Sequence, residues 1–495
     1  MKRTFTLLVL AMAIGTAFAQ TVKIGSTSYT TISEAITAAV DNDVIEITGV
    51  HTESITIDKN ITLRGTDPAT DIIQAAADQA SATSRVVYVD GQGGALTVTI
   101  ENLTFRNGNA TDHGGGIFAD KVTGLLTLEN VTIDNSTTTK NGGGMSTGGS
   151  NVNINNCTIK NNSSTLTGGG LHIVPNNGAA IDAVVNVRNS LITNNQSTSK
   201  TGGGFIVNGN HQYGDKYTIT ANFENVTITS NFAAVSGGAG QTLGVDHVAG
   251  GSESVTIGDT NTSLTMVHCT VAYNTCDDIG KAGLAFANGA ATTGPHFYLY
   301  NSIVVSDDDV ANKALNFAAC NPHDIINNML GGLNAFPTSQ DGNNNAKGKT
   351  ATFAGIATVL TDEGGKVKVL ALGDGANSVD YCTTATGITL PSTDARTYSR
   401  DATPDAGAYE YAGLPTSVGK ITALEVSISP NPANDYFRVI GKDQVVNINI
   451  YSLDGTLVKS VTNSAQVDVS GLMNGVYLVQ VTGENGETIK KLVVK

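Results

Sequence analysis

A five-residue motif that recurs along the chain constrains the fold more than any other feature of the sequence. Its copies are ENLTF (101–105), ENVTI (129–133), NNCTI (155–159), RNSLI (188–192), ENVTI (224–228), VHCTV (267–271) and YNSIV (300–304). Their second residues follow one another at intervals of 26 to 43 residues. Repeats of this length indicate one small structural unit stacked many times, which is a solenoid.

The alternation of apolar residues within one unit predicts the shape of each coil. Leu128 and Asn130 share one phase of the alternation, whereas Val131 and Ile133 occupy the other phase. Because side chains alternate between the two faces of a strand, this change predicts a corner between Asn130 and Val131. A Gly triplet and a third short strand follow, as in GGGLHI (168–173). Three short strands per turn predict a right-handed parallel β-helix.

The residues at the corner predict a ladder of side-chain hydrogen bonds. An inward-facing Asn at the same place in successive coils can bond the next Asn and the backbone of the corner. Cys157 and Cys269 fall at the inward position after the corner, and we interpret them as buried packing residues. The pairings Cys269–Cys276 and Cys320–Cys382 both stay open at this stage. The predicted members of the ladder are Asn102, Asn130, Asn156, Asn189, Asn225 and Asn301.

The N-terminal region predicts export and a capped solenoid. Residues 1–19 have a basic start, a short apolar stretch and a small-residue end, which is typical of a signal peptide cleaved between Ala19 and Gln20. Thr31 and Glu34 have the spacing of a capping box, and apolar residues follow at helical spacing. We therefore expect a capping helix over about 31–40 that covers the first edge of the solenoid. No later apolar run approaches the roughly 20 residues of a membrane helix, so no transmembrane segment is expected.

Composition excludes several classes of partner. The formal net charge of −15 argues against nucleic acid and anionic lipid as partners, because both are polyanions. Only 14% of the residues are charged, and 56 are Gly. This composition favours a repetitive all-β protein.

Four segments resemble parts of three kinds of known β-helix protein. YTTISEAITAAVDNDVIEITG (29–49) resembles the capping region of pectin-lyase-like proteins. FRNGNATDHGGGIFA (105–119) and IKNNSSTLTGGGLHI (159–173) resemble the repeats of polymorphic outer-membrane proteins, which implies adhesion. PDAGAYEYAG (404–413) is similar to the end of choice-of-anchor-Q β-helix proteins. We therefore expect a β-helix over 20–413, with Asn/Gly repeats over about 96–305, terminal coils to 413 and a linker over 414–424.

The C-terminal segment 425–495 resembles the type A sorting domain of the type IX secretion system. The similarity is carried by SISPNPANDYFRV (427–439), VNINIYSLDGTLVKSV (446–461) and VDVSGLMNGVYLVQVTGENGETIKKLVVK (467–495). Short alternating strands and Gly-containing turns independently predict a small β-sandwich, a fold that a carbohydrate-binding module would share. The resemblance implies recognition by the secretion machinery and attachment to surface lipopolysaccharide, so the protein would be extracellular or bound to the outer membrane. It also implies that Asn474, Gly475, Val476, Tyr477 and Lys491 serve targeting.

Catalytic chemistry has little support in the predicted outward columns. The second outward residues after the corner include Arg106, Asp134 and Lys160, with no stacked carboxylates, so no catalytic residue is assigned. Glu101 and Glu129 lie on adjacent coils and are weak candidates for a calcium site; no other metal or cofactor is expected. The acidic runs 277–278 and 307–309 are interpreted as solvated loop charges, and His113 and His172 lack the spacing of a zinc site.

Two classes of function follow from these observations. The first is a non-enzymatic surface rod, an adhesin or a protein that binds glycans or host and matrix proteins. The outward column Phe118, Ser146, His172 and Ile206 of the third strand is a candidate contact surface for such a partner. The second class is a polysaccharide lyase or glycoside hydrolase with a site in the long insertions 207–222, 236–263 and 275–297. The absence of a carboxylate column and of Trp favours the first class.

Overall fold

Coils of short parallel strands, stacked on one another, make up most of the described part of the chain. The structure is a computed structural model, and it describes residues 20–174, 182–208, 218–243, 262–277, 283–287, 296–307, 313–316, 324–334, 336–383, 388–415, 426–441, 445–452, 457–462, 464–483 and 486–495. The chain forms two compact units, Met1–Leu414 and Pro415–Lys495. The predicted signal peptide with Ala19, Cys320, and most of the predicted linker and long insertions lie outside the described residues.

The first unit contains four stacked sheets within the described residues, which we name faces A, B, D and C in the order in which the chain passes through them. The strands of face A are Thr21–Ile24, Thr27–Tyr29, Val44–Thr48, Thr62–Arg64, Thr97–Glu101, Leu125–Glu129, Val152–Asn155, Ala183–Arg188, Ile219–Glu224, Thr262–Val267, His296–Tyr300 and Asp324–Ile326. Those of face B are Val50–Thr52, Ile72–Gln74, Thr104–Arg106, Thr132–Asp134, Thr158–Lys160, Leu191–Thr193, Thr227–Thr229, Thr270–Ala272, Ile303–Val304 and Met329–Leu330.

Faces D and C complete each coil. Face D has the two-residue strands Asn109–Ala110, Thr137–Thr138, Ser163–Ser164, Gln196–Ser197, Phe232–Ala233 and Thr275–Cys276. Face C consists of Ile55–Ile57, Val87–Asp90, Ile117–Asp120, Met145–Ser146, Leu171–Ile173, Phe205–Asn208, Gly240–Leu243, Leu284–Ala287, Lys313–Asn316 and Gly332–Asn334. Successive coils pair in parallel, for example Leu128 with Ile154. The parallel β-helix predicted from the sequence is confirmed, with the short face D as an addition that the sequence pattern did not predict.

The corner between faces A and B is made by a single residue in the left-handed conformation. Asn102, Asn130, Asn156 and Asn189 have φ values between 48° and 55° and are half-buried. Asn tolerates this conformation better than most residues. The sequence analysis placed these side chains inward. The structure differs because the left-handed residue itself interrupts the alternation that the prediction used.

The residues at this corner in successive coils form what we call the corner column. Only some neighbouring pairs in the column are joined by a side-chain hydrogen bond. Asn130 Nδ2 donates to Asn102 Oδ1 at 2.8 Å, and Asn225 Nδ2 donates to Asn189 Oδ1 at 3.1 Å. Asn156 Nδ2 instead donates to Glu129 Oε1 at 2.6 Å. Farther along, the side chains of Asn301 and His268 lie 3.1 Å apart.

A second corner, five residues later, leads from face B into face D. Asn135 and Asn161 there have φ values of 48° and 55°. The side chain of the residue after this corner points into the interior of the β-helix. In later coils this residue is a buried Asn. Asn162 Nδ2 donates to Asn195 Oδ1, and Asn195 Nδ2 donates to Asn231 Oδ1, both at 3.0 Å. Asn231 Nδ2 continues the series to Asn274 Oδ1 at 2.9 Å. We call Asn162, Asn195, Asn231 and Asn274 the buried Asn ladder.

The Gly triplets allow the backbones of neighbouring coils to come into close contact. Gly142 has a φ of 73°, which L-residues with a side chain rarely adopt. A Cβ atom on Gly143 would lie 2.5 Å from the carbonyl oxygen of Gly169 in the next coil. Larger residues would therefore separate the coils at this turn.

A short helix, Ile32–Ala38, covers the first coil. Thr31 is its N-cap residue, and both hydrogen bonds of the capping box with Glu34 are present. Glu53 accepts hydrogen bonds from the backbone of Ile32 and Ser33 at the start of the helix. Lys59 Nζ donates to three carbonyl oxygens at its end, those of Ile36, Thr37 and Ala39. The solenoid itself therefore holds the cap at both ends.

The described residues after Asn334 stay in the stack only as far as Ala346, which pairs in parallel with Met329, although terminal coils were expected up to residue 413. They contain the helix Ala351–Ala354, the 3₁₀ turn Thr338–Gln340 and the short strands Tyr398–Ser399 and Leu414–Pro415; a second 3₁₀ turn, Gln79–Ser81, lies within the solenoid. Val369, Leu370 and Cys382 form a separate core with Ile303 and Met329 of face B. This segment thus runs back along the outside of the last coils, because its apolar residues find an apolar outer surface there.

The second unit contains two antiparallel sheets, as expected of a small β-sandwich. One sheet consists of Ser427–Ser429, Tyr436–Ile440 and Gln466–Asp468, and the other of Leu457–Thr462, Val445–Tyr451, Gly475–Gly483 and Gly486–Val494. Phe437, Ile448, Val479 and Leu492 lie in the core between them. Among the described residues of the whole chain, no helix is long and apolar enough to cross a membrane.

Candidate functional site

A cleft on face C combines aromatic, charged and hydroxyl side chains. It lies at the first coils of the face and has a volume of about 410 Å³. Loops that precede the face C strands supply most of its rim. The lining residues are Ser54, Ile55, Thr56, Thr83, Ser84, Arg85, Tyr88, Ala110, Thr111, Asp112 and Phe118. We call this site the face C cleft.

Arg85 lies against two aromatic rings in the cleft. Tyr88 and Phe118 are paired in register on adjacent coils, and their ring centroids are 5.7 Å apart. The guanidinium carbon of Arg85 lies 5.4 Å from the centroid of Tyr88 and 5.0 Å from that of Phe118. Both distances are within the range of cation–π attraction. Arg85 also forms an ion pair with Asp112.

Two carboxylates border the same pair of strands. Asp90 and Asp120 are in register on adjacent coils, two residues after Tyr88 and Phe118 respectively. The Tyr88 hydroxyl donates to Asp120 Oδ2 at 3.1 Å. Burial and then the negative charge of Asp120 raise the pKa of Tyr88 to about 12, so its hydroxyl stays protonated at neutral pH. This pair was not predicted from the sequence, because Asp90 and Asp120 lie two positions beyond the outward column that contains Phe118.

Two histidine rings lie beside Phe118, towards the following coils. The rings of His113 and His172 stack with centroids 5.9 Å apart and planes 4° from parallel. Burial lowers the pKa of His172 to about 3, and its Nδ1 lies 3.0 Å from Ser146 Oγ. Burial also lowers the pKa of His113. Both rings are therefore neutral near pH 7, and the described residues contain no group of three or more side chains suited to a metal ion.

The four residues of the candidate contact surface on the third strand differ in burial. Phe118 is half-buried and borders the cleft, whereas Ser146, His172 and Ile206 are buried. Of these four residues, only Phe118 is therefore accessible to a partner.

The weak calcium candidates have separate partners. Glu101 and Glu129 are in register on adjacent coils of face A. Glu101 forms an ion pair with Arg64 of the preceding coil, and Glu129 accepts the hydrogen bond from Asn156. Each carboxylate is thus stabilised without a shared cation.

The predicted sorting residues lie around one strand of the C-terminal unit. Asn474 is exposed, and Gly475 and Val476 begin the strand Gly475–Gly483. The Tyr477 ring is buried, and its hydroxyl donates to the carbonyl oxygen of Met473 at 2.8 Å. Lys491 is paired with Leu478 on the neighbouring strand and is exposed.

Cys157, Cys269 and Cys382 are free thiols. Cys157, Cys269, Cys276 and Cys382 are all buried. The pairing Cys269–Cys276, which the sequence left open, therefore does not form. Burial raises the pKa of Cys157 and Cys269 to about 12, so neither is a reactive thiolate.

Comparisons with known proteins find partial similarities. No curated protein matches the chain. A solved structure of pectin methylesterase from carrot is 18% identical over 55% of this chain and 83% of its own, with a TM-score of 0.31. A pectate lyase structure is 15% identical over 78% of this chain and 92% of its own, with a TM-score of 0.36.

The C-terminal unit has a family match of its own. Residues 427–495 match the model of the secretion system C-terminal sorting domain. This unit is therefore a type IX sorting domain, which indicates that the protein is secreted and attached to the cell surface.

Proposed function

We propose that this protein is a surface-attached β-helix rod that binds a glycan in the face C cleft and does not cleave it. One observation carries the proposal: Tyr88 and Phe118 present neighbouring rings in a cleft whose rim bears exposed hydroxyl groups. Aromatic faces pack against the apolar faces of sugars, while hydroxyl groups exchange hydrogen bonds with sugar hydroxyls. The solenoid holds these residues on regular strands, so the cleft is formed before a ligand arrives.

Export supports this function. A sorting domain delivers the rod to the cell surface, where glycans are abundant partners. In this proposal the N-terminal signal peptide, cleaved between Ala19 and Gln20, provides the first step of export. Surface lipopolysaccharide is the proposed attachment point.

A screen of the full chain on glycan arrays, together with assays of polysaccharide breakdown, tests the proposal. We expect binding without the formation of shorter or unsaturated products. Tyr88→Ala and Phe118→Ala should each weaken binding by about tenfold or more. Phe353→Ala is the matched control, because Phe353 is an accessible aromatic residue outside the cleft that also has a cation, Lys349 Nζ, 4.1 Å from its centroid. Equal effects of all three substitutions, or no binding to any glycan, would overturn the proposal.

The carboxylates Asp90 and Asp120 favour a second candidate, a polysaccharide lyase or glycoside hydrolase. Two acidic groups on adjacent coils beside Tyr88 are of the type that acid–base chemistry on sugars requires. If breakdown products form, Asp120→Asn should abolish them, whereas Glu129→Gln on face A should not. Products that persist in Asp120→Asn would place the chemistry elsewhere.

A further inference from the structure

Within the face C cleft, the two members of the Arg85–Asp112 ion pair differ in their exposure to solvent. The side chain of Arg85 is 16% exposed, whereas that of Asp112 is 56% exposed. Arg85 is held by the rings of Tyr88 and Phe118. The Asp112 side chain extends into solvent from a loop, and the backbone carbonyl of the same residue accepts a hydrogen bond from Thr138. The cation is therefore fixed, while its counter-ion can rotate away without movement of the backbone.

We propose that Arg85 is the subsite for an acidic group of the glycan, a carboxylate or a sulfate, and that Asp112 occupies this subsite until the ligand replaces it. This inference rests on the proposed function and names the class of sugar that the cleft takes. A planar guanidinium binds carboxylate and sulfate oxygens through paired hydrogen bonds. Asp112 would thus act as an internal competitor.

Charge balance favours an acidic ligand over a neutral one. A neutral sugar that displaced Asp112 would leave a largely buried cation without a partner, which is costly. A neutral sugar that left the ion pair in place would contact only its outer side. An acidic sugar replaces one negative group by another and keeps Arg85 neutralised.

Hydroxyl groups of the rim fit the rest of an acidic sugar. Ser54 Oγ and Ser84 Oγ lie 2.6 Å apart at one side of the cleft, and Thr56, Thr83 and Thr111 are exposed around it. Hydroxyl groups both donate and accept hydrogen bonds, so they match sugar hydroxyls in either role. Arg85 would select the charge, and the rim would bind the ring.

Calorimetric titration of the full chain tests the proposal with matched ligand pairs. The probes are oligogalacturonate, oligoglucuronate and a sulfated heparin-type oligosaccharide, each beside its methyl-esterified or desulfated counterpart. We expect the acidic member of at least one pair to bind about tenfold more tightly than the neutral member, with an affinity that falls as salt is raised. Arg85→Met should remove this difference, and Asp112→Asn should increase the affinity for the acidic member about threefold or more.

Controls separate this inference from the proposed function. Arg64→Met and Glu101→Gln alter an Arg–carboxylate pair on face A, outside the cleft, and they should leave binding unchanged. Binding of neutral and acidic members with equal affinity, sensitive to Tyr88→Ala but not to Arg85→Met, would overturn the acidic subsite and leave the glycan-binding function intact. Absence of binding to every probe and on the glycan array would overturn both. The salt dependence of the unaltered protein provides a test that needs no variant to fold.

Discussion

The Nη1 atom of Arg400 lies 2.9 Å from Oε2 of Glu410, and the two side chains are 1% and 2% exposed. Glu410 also accepts hydrogen bonds from the backbone of Asp401 and Asp405. Arg400 Nη2 donates to Asn225 Oδ1 at 3.0 Å, in the corner column of the solenoid. This pair therefore attaches residues 388–413, which we call the returning segment, to the coils. It also gives a physical role to the glutamate of the sequence DAGAYE (405–410).

Glu410→Gln should destabilise the first unit strongly. The substitution removes the ion-pair partner of the buried Arg400 guanidinium, and breaking such a pair costs about 3–5 kcal/mol. Denaturant unfolding of the full chain, followed by a probe placed in the solenoid, measures the loss. Glu101→Gln removes the same group from an ion pair on the surface and should cost about 1 kcal/mol or less. Equal costs would show that burial of the Arg400–Glu410 pair adds nothing.

Hydrogen bonds of the buried Asn ladder should stabilise the solenoid far more than those between half-buried Asn side chains. Asn195 Oδ1 accepts hydrogen bonds from both the backbone N–H and the side chain of Asn162. Asn195→Ala leaves these donors unsatisfied in the interior and should cost about 2–5 kcal/mol. Asn186, in the same coil, donates to Asn153 Oδ1 at 2.9 Å on the half-buried outer side of face A. Asn186→Ala should cost about 1 kcal/mol or less in the same unfolding experiment, and a similar cost for both would contradict the distinction.

The local pattern of the sequence predicted the fold class, because alternation records burial directly. Leu126 and Leu128 are buried and Thr127 between them is not, as a strand with one inward face requires. The buried Asn ladder was missed, although a signal was present: Asn162, Asn195, Asn231 and Asn274 each follow the first corner residue of their coil by six positions. The sequence analysis followed the corner column and did not test this second spacing.

The face C cleft could not be predicted from the local pattern of the sequence. Arg85 and Tyr88 lie in one coil and Asp112 in the next, and the approach of Asp112 to Arg85 depends on the lengths of the loops between strands. Intervals between corners vary from 26 to 43 residues, so the register of face C cannot be counted from the corner column. The returning segment 388–413 was likewise predicted as coils, because its contacts with Asn225 and Thr270 join residues far apart in sequence.

The buried His172 should make the solenoid sensitive to acid. Its folded-state pKa of about 3 lies below the usual value of 6.5, so the unfolded chain takes up the proton first. Its contribution to stability is therefore complete above about pH 6.5 and is lost as the pH falls towards 3. His172→Phe keeps a ring beside His113 but cannot titrate, and it should reduce the loss of stability between pH 6.5 and pH 4. An unchanged pH dependence of the unfolding free energy in His172→Phe would contradict this assignment; His113→Phe, at a half-buried ring, should have the smaller effect.

Deletion of residues 427–495 should keep the protein from the cell surface, because these residues form the sorting domain that directs export. We expect the truncated chain to accumulate inside the outer membrane, where surface labelling of intact cells does not reach it and fractionation recovers it. Asn474→Ala and Lys491→Ala alter exposed predicted sorting residues and should reduce surface display, whereas Ile489→Ser, on the strand that carries Lys491, controls for a change in an exposed side chain. Fusion of residues 425–495 to an unrelated exported protein is the converse test, and it should place that protein on the surface. Surface display of the truncated chain would show that the export signal lies outside this unit.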